Sequence, residues 1–338
     1  MTAPTETVSD TAALTYDELT VRFRTETGDV LAVDGVSMSV APGEIVGVVG
    51  ESGCGKSVSS MAAGGLLPRS AQVEGAARLH GRDLVGASTK ELRRIRGRQL
   101  AYIFQEPMNS LNPVMRVGDQ IVETLRIHTS ASRREARQRA INLLKLVRIP
   151  SAEIRARQYP HQLSGGMRQR VMIAMAVACE PDVLIADEPT TALDVTVQAG
   201  IIDLLADLRE RLGTSIVLIT HDLGVIADVA DRVVVMYAGR VVEEGPVDEI
   251  FHRPAHRYTR ALLDTSQPAR ADEEGPPRLA EIPGLVPVMR DSPDACTFAE
   301  RCPAATEQCR TSRPLWESLE VPSHHVACWH PVGREEKL

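Results

Sequence analysis

The sequence predicts an α/β fold built on a mostly parallel sheet, and three stretches carry that prediction. An apolar strand, Glu44–Val49, runs into Gly50-Glu-Ser-Gly-Cys-Gly-Lys56-Ser57. Small and apolar residues from Lys56 to Leu67 then suit a helix packed closely on that strand. A second apolar strand, Val183-Leu-Ile-Ala-Asp187, leads into Glu188 and so ends in two carboxylates. Beyond it, VTVQAGIIDLLADLRERLG reads as a helix, TSIVLIT as a strand and DRVVVMYAG as another strand. Continuous apolar runs alternating with helices imply parallel strands covered on both faces.

Upstream, LTVRF and VSMSV within residues 19–49 read as further strands. Residues 89–160 change character. TKELRRIRGRQ and ASRREARQRAINLLKLV are charged and helix-favouring, and Ala140, Leu143, Leu144 and Val147 recur at helical spacing, so this region reads as a mostly helical insertion. Residues 264–295 are rich in Pro, Asp and Glu and read as a linker, and residues 296–330 read as a small module carrying cysteines. No internal repeat is present.

Composition narrows the function. The chain has 338 residues, 43% hydrophobic and 25% charged, an ordinary globular balance. Aromatics at 3% argue against stacking on bases as a main activity. With 38 basic against 45 acidic residues the net charge is −7, so the arginine-rich stretches read as solvated helix faces and no nucleic-acid partner is expected. The longest apolar run, Val171 to Cys179, is too short to span a bilayer, and MTAPTETVSDTAA lacks the basic start and apolar core of a secretory signal. That segment reads as a disordered tail, and any membrane role is expected to come through partners.

The loop Gly50–Ser57 matches G-x-x-x-x-G-K-[ST], between a strand and a helix as the motif requires. Glycines let backbone N–H groups wrap phosphates, Lys56 reaches the β- and γ-phosphates, and the Ser57 hydroxyl ligates Mg²⁺. Gly50, Glu51, Ser52, Gly53, Cys54, Gly55, Lys56, Ser57 and the following Val58 are the expected ATP-binding set. Cys54 is read as a small tolerated residue, with a redox switch as the alternative. Asp187 is placed to hold Mg²⁺, and Glu188 to polarise the attacking water.

Leu163-Ser164-Gly165-Gly166-Met167 resembles the LSGGQ signature of ABC ATPases, with Met167 in place of the usual Gln. Ser-Gly-Gly at a helix start is an anion cradle that can grip a γ-phosphate held by another subunit. Other elements follow in the family's order. Gln105 in Tyr-Ile-Phe-Gln resembles the Q-loop glutamine that senses Mg²⁺ and water. Thr191-Ala-Leu-Asp194 resembles the D-loop, His221 the switch histidine, and Phe23 the aromatic that stacks on adenine, with Tyr16 as competitor.

The resemblance covers about residues 17–265. It implies a P-loop NTPase core with an antiparallel β subdomain and a helical subdomain at about 89–178. The organisation expected is a tail at 1–15, a nucleotide-binding domain at 16–265 and an extension at 266–338. It implies an ATPase whose catalytic residues are Glu188, His221 and Gln105, whose Mg²⁺ contacts are Ser57, Gln105 and Asp187, and whose signature residues Ser164, Gly165 and Gly166 act with Asp194 in a nucleotide-sandwich dimer. A soluble ABC-type ATPase acting on DNA is the rival class, but those insert long coiled coils or zinc modules between loop and signature, where this chain has room for little beyond the helical subdomain.

Tyr159-Pro-His-Gln before the signature, Phe251 to Leu263 after the core and Ile282-Pro-Gly-Leu-Val-Pro287 resemble the oligopeptide/dipeptide (and nickel) importer branch. That branch implies two membrane permease subunits, a related second ATPase in a heterodimer, an extracytoplasmic binding protein and a place at the cytoplasmic face of the membrane. The substrate expected is a di- or oligopeptide, with nickel or other small solutes as alternatives. Cys296, Cys302, Cys309 and Cys328 are spaced C-x5-C-x6-C-x18-C. Four thiolates can enclose a [4Fe–4S] cluster or Zn²⁺. The missing tight C-x2-4-C pair, Pro303 after Cys302 and the resemblance favour the cluster, with zinc, or reduced or disulfide-bonded cysteines, as alternatives. His324, His325 and His330 are possible ligands, read first as surface residues.

Overall fold

A computed structural model describes residues 12–26, 28–105, 111–191, 193–266 and 281–333. Its contacts divide the chain into two compact units. Among the described residues, one comprises those up to Leu14, Val40–Glu44 and Leu79–Ile219; the other comprises Thr15–Ser39, Ile45–Arg78 and those from Thr220 onward.

In chain order the strands are β1 (Leu14–Phe23), β2 (Val30–Val40), β3 (Ile45–Val49), β4 (Ala71–Leu79), β5 (Arg82–Asp83), β6 (Leu100–Ile103), β7 (Val183–Asp187), β8 (Ser215–Ile219), β9 (Arg232–Tyr237), β10 (Arg240–Pro246), β11 (Glu317–Ser318) and β12 (His325–Val326).

In the first unit β6, β7 and β8 are parallel neighbours. Leu100 pairs with Val183 and Ile103 with Ala186; Val183 pairs with Ser215 and Asp187 with Ile219. All residues of β7 and β8 are buried, which explains their unbroken apolar reading. Helices Thr89–Ile95, Val117–His128, Arg133–Leu146, Ala152–Arg155, Gly165–Ala176 and Val195–Leu212 complete the unit. Two start in capping boxes: the Ser88 hydroxyl accepts from the Glu91 N–H, Ser132 accepts from Glu135, and each glutamate reaches back to the cap amide. The expected helical stretch at 89–160 is present with one correction. Leu100–Ile103 is a strand inside it, because four apolar residues too few to show a period gain their ladder only from β7.

In the second unit β3 and β9 are parallel, β9 and β10 antiparallel, and β12 pairs antiparallel with both β10 and β11. The sheet is therefore mixed. β1 lies between β2 and β4 in a separate sheet. The helix after the phosphate loop is Lys56–Ala63, shorter than the expected run to Leu67, since Gly64 and Gly65 (φ 61°) end it. Helices Leu223–Val229, Val247–His252 and Arg257–Ser266 follow. Tyr237, Tyr258 and Phe298 form a buried aromatic cluster, with ring centroids 4.7 to 5.4 Å apart. Among the described residues no helix is long and apolar enough to cross a membrane.

Candidate functional site: a phosphate loop, a carboxylate strand end and a signature helix

The second unit supplies the phosphate loop. Gly50 (φ 149°) and Gly55 (φ 101°) sit where a side chain is excluded, because an added Cβ would fall 2.2 Å from the Met236 carbonyl oxygen and 2.5 Å from that of Ala32. Only glycine lets the loop fold this tightly and keep its amides at the surface of the turn. Lys56 is buried, and its Nζ donates to the carbonyls of Gly50 at 2.7 Å and Glu51 at 3.0 Å. An ammonium held inside a glycine cradle at a helix start fits a polyphosphate with Mg²⁺. Ser57 and Val58 follow in the first turn of that helix. Cys54 is fully buried, and burial raises its thiol despite Lys56 nearby, which fits a small residue tolerated in the loop.

His221 follows β8, and the Thr220 amide reaches the Val48 carbonyl at 3.4 Å, which sets the switch segment beside the strand that feeds the loop. Asp222 caps the helix Leu223–Val229 through the Gly224 and Val225 amides. Phe23 ends β1 half-buried; its competitor Tyr16 is 2% exposed, with a hydroxyl whose proton burial holds tightly. Tyr16 is thus core, and Phe23 is the aromatic left with an accessible face.

The first unit supplies the carboxylates. Asp187 ends β7, buried. Glu188 takes φ 45°, a left-handed conformation unusual outside glycine, while its amide donates to Ile219. The Gln105 side-chain amide donates to Glu188 Oε2 at 2.9 Å and the Thr191 hydroxyl to the same oxygen at 2.8 Å. Gln105 and Glu188, 83 positions apart, are thereby brought together. The Thr191 bond escaped the sequence reading; a hydroxyl three residues after the carboxylate was the available signal. Of the stretch from Gln105 to Asn112, residues 106–110 lie outside the described residues. At its end the buried Gln120 side chain holds Asn112 and Met115 through their backbone.

Ser164 caps the helix Gly165–Ala176, its hydroxyl accepting from the Met167 amide at 3.3 Å. Asp194 caps Val195–Leu212 through the Val197 amide at 3.0 Å. The two starts touch, since a Cβ on Gly166 would meet Val197 Cγ1 at 2.6 Å. Arg170 fixes them further by donating to the Val147 and Gly200 carbonyls. Gly166→Val should therefore displace the signature and lower ATP turnover about 10²-fold while nucleotide still binds the chain's own loop. Turnover near the wild-type rate would show that the Gly166–Val197 contact does not set the signature.

Cys296, Cys302, Cys309 and Cys328 line one small cavity with Phe298, Trp329 and His330. Burial pushes the Cys296 thiol up to about 11 and raises Cys302 and Cys328 as well. The four share a cavity, but among the described residues no three ligand side chains stand at metal-holding spacing, and none of the six cysteines is joined in a disulfide. The histidine reading is corrected in part. His324 is 2% exposed and its Nε2 pairs with the buried Glu243 at 2.7 Å; His325 stacks on Trp316 and His330 bonds Thr306.

Residues 33–191 match the ABC transporter family, and residues 242–309 match the oligopeptide/dipeptide transporter C-terminal region. The dipeptide transport ATP-binding protein DppD of Escherichia coli is 49% identical over 95% of this chain and 97% of its own. The chain belongs to the ATP-binding proteins of peptide ABC transporters. The oligopeptide transport ATP-binding protein OppD of Salmonella typhimurium is 46% identical, covering 94% of each chain. Among solved structures, the dimeric ABC transporter cassette MJ0796 matches with TM-score 0.62 and 30% identity, over 69% of this chain and 98% of that one. The same cassette in a post-hydrolysis dimer with ADP and Pi matches equally well by TM-score. This family member is accordingly an ATPase with the ABC fold.

Proposed function

We propose that this chain is the ATP-hydrolysing subunit of an importer of di- and oligopeptides, seated at the cytoplasmic face of the membrane on two permease subunits. The observation that carries this reading is the tandem match of an ABC cassette and a peptide-transporter C-terminal region in one chain. A related second ATPase and an extracytoplasmic binding protein complete the assembly.

Bound MgATP supplies a polarised γ-phosphoryl group. Lys56 and the amides of Gly50, Glu51, Ser52, Gly53, Cys54 and Gly55 hold its phosphates, Val58 completes the binding set after Ser57, and Phe23 stacks on the adenine. Ser57, Asp187 and Gln105 hold the metal. Glu188, oriented by Gln105 and Thr191, takes a proton from the attacking water. His221 steadies the γ-phosphate, while Ser164, Gly165, Gly166 and Asp194 complete the site of the facing ATPase subunit. The domain boundaries follow: a nucleotide-binding domain at 16–265 with its helical subdomain at about 89–178, and an extension at 266–338.

The test is the assembled transporter in proteoliposomes with its binding protein. Labelled di- or tripeptide should accumulate only with ATP and stimulate its hydrolysis. Accumulation of a nickel chelate with no response to peptides would overturn the substrate assignment.

Cys296, Cys302, Cys309 and Cys328 are the residues that would hold a [4Fe–4S] cluster, which would neutralise and pin a module with little core of its own. Their common cavity supports this reading. Protein purified without oxygen should carry iron and acid-labile sulfide in equal amounts, both lost in Cys302→Ser. Zinc in place of iron, or neither, would refute the cluster.

A further inference from the structure

The phosphate loop carries a negative charge of its own, Glu51, beside the place where a polyphosphate is held. Its carboxylate is met by one guanidinium. Arg301 Nη1 donates to Glu51 Oε2 at 2.7 Å and Nη2 to Oε1 at 2.9 Å, the bidentate geometry that distinguishes arginine from lysine. The Arg301 side chain is only 5% exposed, against 28% for Glu51. Its remaining N–H groups go to the Ile282 and Pro283 carbonyls and the Tyr237 hydroxyl, and it lies 5.7 Å from the Tyr237 ring centre. The Glu51 amide donates to the Tyr258 hydroxyl at 2.7 Å, and its carbonyl accepts from Lys56. Tyr258 in turn packs on Phe298. Side chain and amide of this one loop residue are thus gripped by groups that come from beyond the ABC match at 33–191.

We propose that Arg301 is a positioning residue of the nucleotide site, and that the C-terminal extension contributes to ATP binding by neutralising Glu51 and holding it off the phosphates. Without a partner the carboxylate would face a triphosphate of the same sign in a partly desolvated loop, where like charges repel far more than in water. With Arg301 in place the loop presents Lys56 and its amides to the phosphates, and the Glu51 charge is spent on the extension. Arg301 directly precedes Cys302, so the cysteine module and the phosphate loop share one strut. This rests on ATP occupying the loop, as the family membership requires.

The experiment is MgATP binding to the full chain, followed by ATP turnover in the assembled transporter. Wild type, Arg301→Ala, Arg301→Lys, Glu51→Gln and the Arg301→Ala/Glu51→Gln pair are compared. Arg301→Ala should weaken MgATP binding about tenfold, because one charge of a buried pair is left uncompensated. KM for ATP should rise by about the same factor, with kcat at saturating ATP within about twofold. Arg301→Lys should fall between, keeping charge without the fork. Removing the Glu51 charge as well should restore binding to within about threefold of wild type, which a merely structural loss at Arg301 would not do. Glu51→Gln alone should bind less tightly than wild type but more tightly than Arg301→Ala, because it removes the charge that faces the phosphates while leaving Arg301 without its partner, and this order tests the pair even if Arg301→Ala folds poorly. Unchanged affinity in a folded Arg301→Ala, or no recovery in the double variant, overturns the proposal. Failure of the wild-type chain to bind MgATP would instead overturn the nucleotide site itself.

Discussion

Glu188→Gln should bind MgATP as well as the wild type and hydrolyse it 10² to 10⁴ times more slowly, roughly the range expected for loss of a general base. Glutamine keeps the size of the side chain and can still accept from Gln105 and Thr191, so the strand end should hold its shape. What it loses is the negative oxygen proposed to take the proton from water. The left-handed backbone at Glu188 strengthens the expectation of a local chemical effect, since an isosteric change leaves that turn as it is. Turnover in the reconstituted transporter and equilibrium nucleotide binding separate the two quantities. Equal turnover would mean that this chain's Glu188 is silent and that the facing ATPase carries the hydrolysis.

Glu243→Leu should destabilise the chain by about 3–5 kcal/mol, the cost of breaking a buried charge-assisted network. Glu243 is fully buried in β10, where the strand bulges between Val241 and Glu243. It accepts from the Ala255 amide at 2.6 Å, the His256 amide at 2.8 Å and His324 Nε2 at 2.7 Å. Leucine would fill the space and leave three buried donors without acceptors, each costing about 1–3 kcal/mol. The start of the helix Arg257–Ser266 and the turn that sets β12 on β10 should loosen together. Chemical denaturation should show the lowered midpoint, and weaker MgATP binding should accompany it because Tyr258, whose amide donates to His256 Nδ1, holds the Glu51 amide. A midpoint equal to wild type would mean that this network contributes little to stability.

The two expected results differ in how far the sequence announces them. Glu188, the proposed catalytic carboxylate, is visible because it belongs to a short pattern along the chain: strand, carboxylate, carboxylate. The same holds for Lys56 in its glycine loop and for Ser164 at a helix start, where the local backbone itself creates the anion site. Such features need few residues and no distant partner, so motif and secondary structure together reveal them. Glu243 is one of two adjacent glutamates in RVVEEGP, and nothing local says which is buried. The bulge of β10 against β9 and the pairing of Glu243 with Val326 decide it, and the second depends on a segment far along the chain. His324 read as a surface histidine for the same reason.

Leu100–Ile103 makes the point for the fold. Four apolar residues between charged, helix-favouring stretches have no period to read, and they become a strand only because β7 offers a ladder. Arg301 makes it for the site. In sequence it is one more arginine beside a cysteine; folded, it closes a bidentate pair on the phosphate loop. The sequence by itself determined the α/β class, the phosphate loop, the carboxylate pair and the signature, because each is a short-range pattern with its chemistry built in. Only the tertiary structure decided which charges are buried against one another and that the C-terminal extension grips the nucleotide loop. Those are long-range pairings, set by the packing of segments whose local sequence is indifferent to them.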